Sequence, residues 1–176
     1  MKTMMTRRRM QVGVLAVLAV LAAGCGDDDD EATTRTVTGA DYAFRGLPTE
    51  VKAGTTLVLT NESPRELHEL VAIRLPDNER RPVSELLKLP EPQQNAIFGQ
   101  GRPAMVLLAP PNRAPQIQAV GNGTLTEKGR YAILCTIPVG ADPNAYLNAP
   151  PGEGPPQVAG GPPHFVQGMF AELKVE

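Results

Sequence analysis

Short runs of β-branched, apolar and aromatic residues recur along the chain from residue 34 to its end, separated by glycine, proline and other turn residues. Runs of about four to eight such residues between turn signals are typical of β-strands. The sequence therefore predicts an all-β domain, a β-sandwich built from many short strands. Two of these strands, on either side of Ala53-Gly54, are expected to form a hairpin. The predicted strands are Thr34–Phe44, Thr49–Lys52, Thr55–Asn61, Leu67–Leu75, Gln116–Val120, Tyr131–Ile137 and Phe170–Val175.

Helix and loop signals complete the domain. One short helix is expected at Ser84–Leu89, because its leucines share one side and Pro90 follows as a stop. The segment 91–113 is polar and Pro-rich, which favours a loop. The segment 141–163 is a long Gly/Pro tract without an apolar period, and we expect it to be a surface insertion outside the core.

The first 24 residues are typical of a secretory signal peptide. Lys2 and Arg7–Arg9 form a basic start, and the apolar stretch Val12–Ala23 is too short to span a bilayer comfortably. The segment ends in LAAGC, which resembles a bacterial lipobox, so Cys25 is expected to be the lipid-accepting first residue of the mature protein. An uncleaved membrane anchor is the alternative, and both interpretations predict export.

An acidic tether is expected to join the lipid to the domain. Residues 25–34 are acidic or small and cannot bury apolar area, whereas residues 35–176 are long enough to form one domain. Without residues 1–24 the chain keeps 13 basic and 19 acidic residues, a net charge of −6. A nucleic-acid partner is therefore not expected.

Histidine and cysteine are scarce in this chain, and three of these residues and one methionine occur next to predicted strands. There are two histidines and two cysteines in all, and Cys25 is assigned to the lipid. His68 begins one strand, Cys135 lies in another, and His164 and Met169 flank the loop before the last. Two imidazoles, one thiolate and one thioether are the ligand types of a blue-copper site. Taken singly, each has an ordinary alternative: an exposed histidine, a buried thiol or a core methionine.

Three segments carry a resemblance to the cupredoxins, the plastocyanin and azurin group of copper β-sandwiches. They are GTTLVLTNESPRELHELVAI, with the first histidine; LTEKGRYAILCTIP, with the cysteine; and HFVQGMFAELKV, with the second histidine and the methionine. The order His, Cys, His, Met is also that of the family. The resemblance implies a Greek-key β-sandwich over residues 35–176. The 28 residues between Cys135 and His164 are a departure, because the family has only a few there.

The resemblance also implies a ligand set and its support. One type 1 copper would be held by His68, Cys135, His164 and Met169, and Asn61 would tie the two ligand loops together near the cysteine. An ordinary turn amide is the alternative for Asn61.

Two further residues have an expected place. Met105 precedes an apolar run and is expected in the core rather than at the metal. Glu69, next to the first histidine, is expected either to orient an imidazole or to lie in solvent.

The function that this resemblance implies is electron transfer. One copper would cycle between Cu(I) and Cu(II) on a domain anchored by lipid to the outer face of the cell membrane, and redox partner proteins there would exchange electrons with it. No nucleophile–base pair or substrate fingerprint predicts an enzyme or a small-molecule substrate. Two alternatives stay open: a copper carrier or buffer, and a cupredoxin-like binding module with a modified or vestigial metal site.

Overall fold

The computed structural model describes residues 33–40, 42–150 and 154–176. The predicted signal peptide, Cys25 and most of the predicted tether lie outside the described residues. Among the residues that are described, no helix is both long enough and apolar enough to cross a membrane.

Within the described residues, ten strands form two sheets, and the predicted all-β sandwich is confirmed. The first sheet has the order β2-β1-β4-β8, with β1 and β4 parallel. The second has the order β3-β10-β9-β5-β6-β7. The strands are β1 (Thr34–Ala40), β2 (Ala43–Arg45), β3 (Glu50–Val51), β4 (Thr55–Asn61), β5 (His68–Arg74), β6 (Met105–Ala109), β7 (Ile117–Val120), β8 (Thr124–Leu125), β9 (Gly129–Leu134) and β10 (Phe170–Val175).

The main core lies between the two sheets. Alternate residues of β4, such as Leu57 and Leu59, point into it from the first sheet. Leu70, Leu107 and Ile133 meet them from the second sheet. Met105 is fully buried in this same core, as the sequence predicted.

The helical segments are short and lie at the periphery of the sandwich. The described residues contain α1 (Val83–Leu86), α2 (Glu91–Phe98), α3 (Pro143–Leu147) and one 3₁₀ turn, His164–Gln167. The expected helix at Ser84–Leu89 corresponds to α1, which packs Val83 and Leu86 against β9. The described part of the domain thus has three short α-helices where the sequence predicted one.

The predicted hairpin across Ala53-Gly54 is wrong, although its two strands exist. β3 pairs with β10 in the second sheet, whereas β4 pairs with β1 and β8 in the first. The turn therefore carries the chain from one sheet to the other. Its backbone N–H groups donate to the carbonyl of Glu176, just after β10 of the second sheet, and to that of Leu125 in β8 of the first.

The predicted loop at 91–113 contains a helix and a strand. α2 buries no residue, so its sequence has no apolar period by which a helix is recognised. β6 is an inner strand between β5 and β7, and all but one of its residues are buried. Its five residues stand between Pro103 and Pro110, which made the run resemble a loop.

The described parts of the insertion, 141–150 and 154–163, contain a helix and contribute to the core, contrary to the expectation of a surface excursion without core contacts. Its helix α3 is capped by Asp142, whose side chain accepts a hydrogen bond of 2.7 Å from the Ala145 N–H. Ala141 and Tyr146 are buried in a cluster that also contains Cys135, Ile137 and Met169. This second, smaller core lies at the end of the sandwich where the predicted ligands meet.

Candidate metal centre

The side chains of His68, Cys135 and His164 converge in one buried place. One donor atom from each lies within 4.8 Å of the other two, and all three residues are buried. The Nδ1 atom of His164 is 3.3 Å from the Nδ1 atom of His68 and 3.3 Å from the Cys135 Sγ atom. Three of the four predicted ligands are therefore close enough to share a single ion.

Backbone hydrogen bonds hold Cys135 and His164 together. Cys135 directly follows β9, and its carbonyl accepts a bond of 2.9 Å from the Phe165 N–H. The His164 N–H donates to the Ile137 carbonyl at 2.9 Å. The two segments thus continue the pairing of β9 with β10 beyond the ends of those strands.

His68 comes from the neighbouring strand. It is the first residue of β5, which pairs antiparallel with β9 through Val71 and Leu134. On its other side it pairs with Ala109 of β6. His68 and Cys135 therefore lie at the same end of the second sheet.

Met169 lies beside this cluster and is fully buried. Its N–H donates to the His164 carbonyl at 3.1 Å, and its carbonyl accepts from the Cys135 N–H at 3.1 Å. Gly168, with φ of 108°, turns the chain between the 3₁₀ helix and β10. These bonds place Met169 next to two of the three converging residues, in the same buried cluster as Cys135.

The long Cys135–His164 spacing does not separate the ligands. Pro138 and Pro163 form a bridge at the base of the insertion. The Val139 N–H donates to the Pro162 carbonyl at 3.1 Å, and the Val139 carbonyl accepts from Gly161 at 2.8 Å. The insertion therefore leaves and rejoins the domain at nearly the same place, so the loop carrying His164 keeps its position.

Burial determines the protonation state of the Cys135 thiol. It raises the pKa of this thiol well above its usual value, and the nearby Glu69 carboxyl raises it further. The Glu69 backbone N–H donates to the Cys135 Sγ atom at 3.3 Å, which opposes this effect. Without a metal the thiol is protonated at neutral pH, so metal binding must release a proton.

The His164 imidazole is held in its neutral form. Burial lowers its pKa, while the Glu66 carboxylate acts in the opposite direction. A Glu66 carboxylate oxygen lies 3.4 Å from the His164 Nε2 atom but does not make a well-aligned hydrogen bond with it. The Tyr42 ring packs edge-on against the imidazole, with ring centroids 4.8 Å apart. The neutral ring is the form that binds metals.

This donor set fits a copper ion. Two imidazole nitrogens and one sulfur approach one another in a volume that water does not reach, and lone pairs placed so closely repel unless a proton or cation lies among them. Thiolate sulfur suits Cu(I), and imidazole suits Cu(II). In the part of the chain that the structure describes, this is the one cluster of three or more His, Cys, Asp or Glu side chains able to hold a metal.

Asn61 supports the segment before His68. Its side-chain N–H groups donate to the carbonyls of Glu66 and Ala109, each at 2.8 Å, and its Oδ1 atom accepts from the Ser63 N–H at 2.7 Å. Asn61 therefore ties the turn before β5 to the end of β6. That it also holds the cysteine loop stays a prediction.

The side chain of Glu69, the residue after His68, is buried. It is 3% exposed, so the expectation that it lies in solvent is wrong. Its carboxylate accepts hydrogen bonds from Thr136, the residue after Cys135, and from Tyr146 in the insertion. The sequence offered only its position beside His68 as a signal of this role.

Gly39 is a second residue that sequence reasoning missed. It lies in β1 opposite Asn61, and a Cβ atom at this position would be 2.9 Å from the His68 Cβ atom. No real side chain approaches so closely, so β1 can pack on His68 only through a glycine. A glycine inside a strand is the signal that was available, because it often marks such a close approach.

A cleft opens beside the cluster. It has a volume of about 590 Å³ and is lined by His68, Tyr42 and Glu66 together with 140–143 at the start of the insertion. The insertion therefore forms one wall of the approach to His68, at the end of the sandwich where the donors converge.

No protein-family model and no curated protein matches this sequence. Among solved structures, the chain is similar to dithionite-reduced auracyanin from Roseiflexus castenholzii, with 16% identity, 82% of this chain and 97% of that chain covered, and a TM-score of 0.44. It is also similar to auracyanin A, a "blue" copper protein from Chloroflexus aurantiacus, with 18% identity, 82% and 98% covered, and a TM-score of 0.42.

The architecture of the described residues agrees with what the sequence resemblance implies. Two β-sheets pack face to face, and His68, Cys135 and His164 converge at one end of them.

Gly39→Ala tests the close packing around His68. Because the new methyl group must displace His68 or β1, we expect the free energy of unfolding of the metal-free protein to fall by about 1–3 kcal/mol. The affinity for copper should fall as well. Gly101→Ala is the matched control, since a Cβ atom there meets nothing within 4 Å. Denaturant unfolding and copper titration measure both effects, and a Gly39→Ala protein as stable as Gly101→Ala would contradict the packing argument.

Proposed function

We propose that this domain is a copper electron-transfer protein with one type 1 copper, bound by His68, Cys135 and His164 with Met169 as a weak axial ligand. The observation that carries the proposal is the convergence of two imidazole nitrogens and one sulfur in a buried place, with 3.3 Å between the His164 Nδ1 atom and each of the other two donors. When bound, copper supplies a one-electron couple between Cu(I) and Cu(II).

The residues of the chain supply the rest of the function. The three donors come from segments fixed by sheet pairing and backbone hydrogen bonds, so they are held in place before a metal arrives. Their burial excludes water from the ion. A preformed, rigid site suits electron transfer, because a change of charge then requires little movement of the ligands.

The same burial argues against the alternative of a copper carrier or buffer. Passing a metal to another protein requires the partner's ligands to reach it, yet His68 and His164 are 1% and 0% exposed. The converging donor set also argues against a vestigial metal site. We infer a carrier of electrons rather than an enzyme, and we assign it no substrate.

We further propose that the protein is exported and anchored by lipid on Cys25 to the outer face of the cell membrane. The support is in the sequence: a basic start, a short apolar stretch, the LAAGC segment and an acidic tether. Redox proteins at that membrane are the proposed partners. Their approach would be past 140–143, which form one wall of the cleft beside His68.

Copper titration tests the metal assignment. We expect one copper per chain and an intense visible charge-transfer band from the Cys135 thiolate to Cu(II). The Cys135 Sγ atom lies 3.3 Å from the His164 Nδ1 atom, so one ion can bind both. Cys135→Ser should abolish the band, since an alcohol does not replace the thiolate. Absorption and electron paramagnetic resonance spectra measure the outcome, and Cu(II) bound without this band would refute electron transfer at this site.

Met169→Leu tests the axial ligand. A long thioether bond contributes little to holding the metal, so the variant should keep its colour. It should have a higher reduction potential, because the thioether donates electron density that favours Cu(II). Met105→Leu is the matched control, since Met105 is equally buried but lies in the main core. Voltammetry gives both potentials, and a shift in Met105→Leu alone would mean that the wrong methionine is assigned.

Mass spectrometry of the N-terminal peptide tests the lipid anchor. The protein purified from an exporting bacterium should begin at Cys25 and carry a diacylglycerol there, because one acyl chain anchors a protein only marginally. Cys25→Ala should carry no lipid. A wild-type protein whose Cys25 is unmodified would exclude the anchor while leaving the copper site unaffected.

A further inference from the structure

The buried Glu69 carboxylate joins the insertion to the cysteine loop. One of its oxygens accepts hydrogen bonds from the Thr136 N–H at 2.9 Å and from the Thr136 hydroxyl. The other accepts a hydrogen bond of 3.1 Å from the Tyr146 hydroxyl. A single side chain thus contacts the residue after Cys135 on one side and helix α3 of the insertion on the other.

Hydrogen bonds of Glu69 connect the ends of β5 and β9 beyond the last pair of their ladder. The pairing of β5 with β9 stops at Val71 and Leu134. Beyond it, the Glu69 side chain accepts from the Thr136 N–H, and the Cys135 sulfur accepts from the Glu69 N–H at 3.3 Å. On the side facing β5, bonds of Glu69 therefore take the place of a regular ladder, while backbone bonds to Phe165 and Met169 hold Cys135 on its other side.

Burial and the position of helix α3 hold Tyr146 within hydrogen-bonding distance of this carboxylate. It is 4% exposed and packs with Leu67, Ile137 and Met169 around Cys135. Its helix is short but capped at its start by Asp142 and joined to the domain through the bridge at its base. The Gly/Pro-rich insertion thus contributes one ordered phenol to the inside of the domain.

We propose that Tyr146 is a positioning residue for the copper site, acting through Glu69 on the turn that carries Cys135. The inference rests on the proposed function, and it gives the insertion a role: the insertion completes the support of the site instead of only covering it. Partners that hydrogen-bond the neighbours of metal ligands orient those ligands, and their removal commonly lowers metal affinity by about 10- to 100-fold.

Packing alone is the competing explanation, and the two differ in what the hydroxyl does. If Tyr146 only fills space, phenylalanine serves equally well. If it positions the site, phenylalanine leaves one oxygen of a buried carboxylate without its donor. Glu69 must then shift, and the turn that it holds at Thr136 shifts with it.

The test compares Tyr146→Phe with Tyr131→Phe in the full chain produced in an exporting bacterium and loaded with Cu(II). Tyr131 is the matched control, because its buried ring also donates one hydroxyl bond, of 2.7 Å to the Glu127 carbonyl, but it lies on β9 in the main core. We expect Tyr146→Phe to lower copper affinity about 10-fold or more, measured by chelator competition. Its thiolate band and paramagnetic resonance spectrum should also shift, and Tyr131→Phe should change neither.

A double-mutant cycle separates action through Glu69 from a general loss of stability. Glu69→Gln keeps the shape of the side chain, and adding Tyr146→Phe to it should lower copper affinity much less than Tyr146→Phe does alone. Wild-type spectra and affinity in Tyr146→Phe, equal losses in both tyrosine variants, or additive losses in the cycle would each overturn the inference. A wild-type protein that binds Cu(II) without the thiolate band would overturn the proposed function, and this inference with it.

Discussion

Three electron-pair donors share one buried volume, and the rest of the structure is arranged to keep them there. The His164 Nδ1 atom lies 3.3 Å from both the His68 Nδ1 atom and the Cys135 Sγ atom. Lone pairs that close together repel one another in a buried site unless a proton or a cation lies among them. Burial lowers the pKa of His164 and raises that of Cys135, so neither group is charged in the metal-free protein. A copper ion would take the place of the thiol proton among these donors.

Sheet pairing and backbone hydrogen bonds hold these donors in place. His68 and Cys135 lie at one end of adjacent strands, and His164 and Met169 are joined to Cys135 by backbone hydrogen bonds. The insertion, which the chain places inside the ligand loop, does not loosen this arrangement. Its two ends are bridged at Pro138 and Pro163. Its Tyr146 hydroxyl donates a hydrogen bond to the buried Glu69 carboxylate. A long insertion is tolerated here because its ends stay together.

The converging residues His68, Cys135 and His164 were predictable from the sequence because each stands in a recognisable local pattern and the chain contains few others of its type. Pairing partners were not: the alternation in β4 reports which side chains are buried, but not that β1 and β8 rather than β3 flank it. β6 was missed because it is short and lies between prolines, and α2 because it buries no residue and its sequence shows no apolar period. The contacts of Glu69 depend on a residue that follows it by 77 positions, and no local pattern reports such a contact.

Extended X-ray absorption fine structure at the copper edge tests the central claim most directly, because it counts the atoms bound to the metal. For the copper-loaded protein, the account predicts an inner shell of two imidazole nitrogens and one sulfur, and a loss of that sulfur in Cys135→Ser. An inner shell of nitrogen and oxygen atoms alone in the wild-type protein would contradict it.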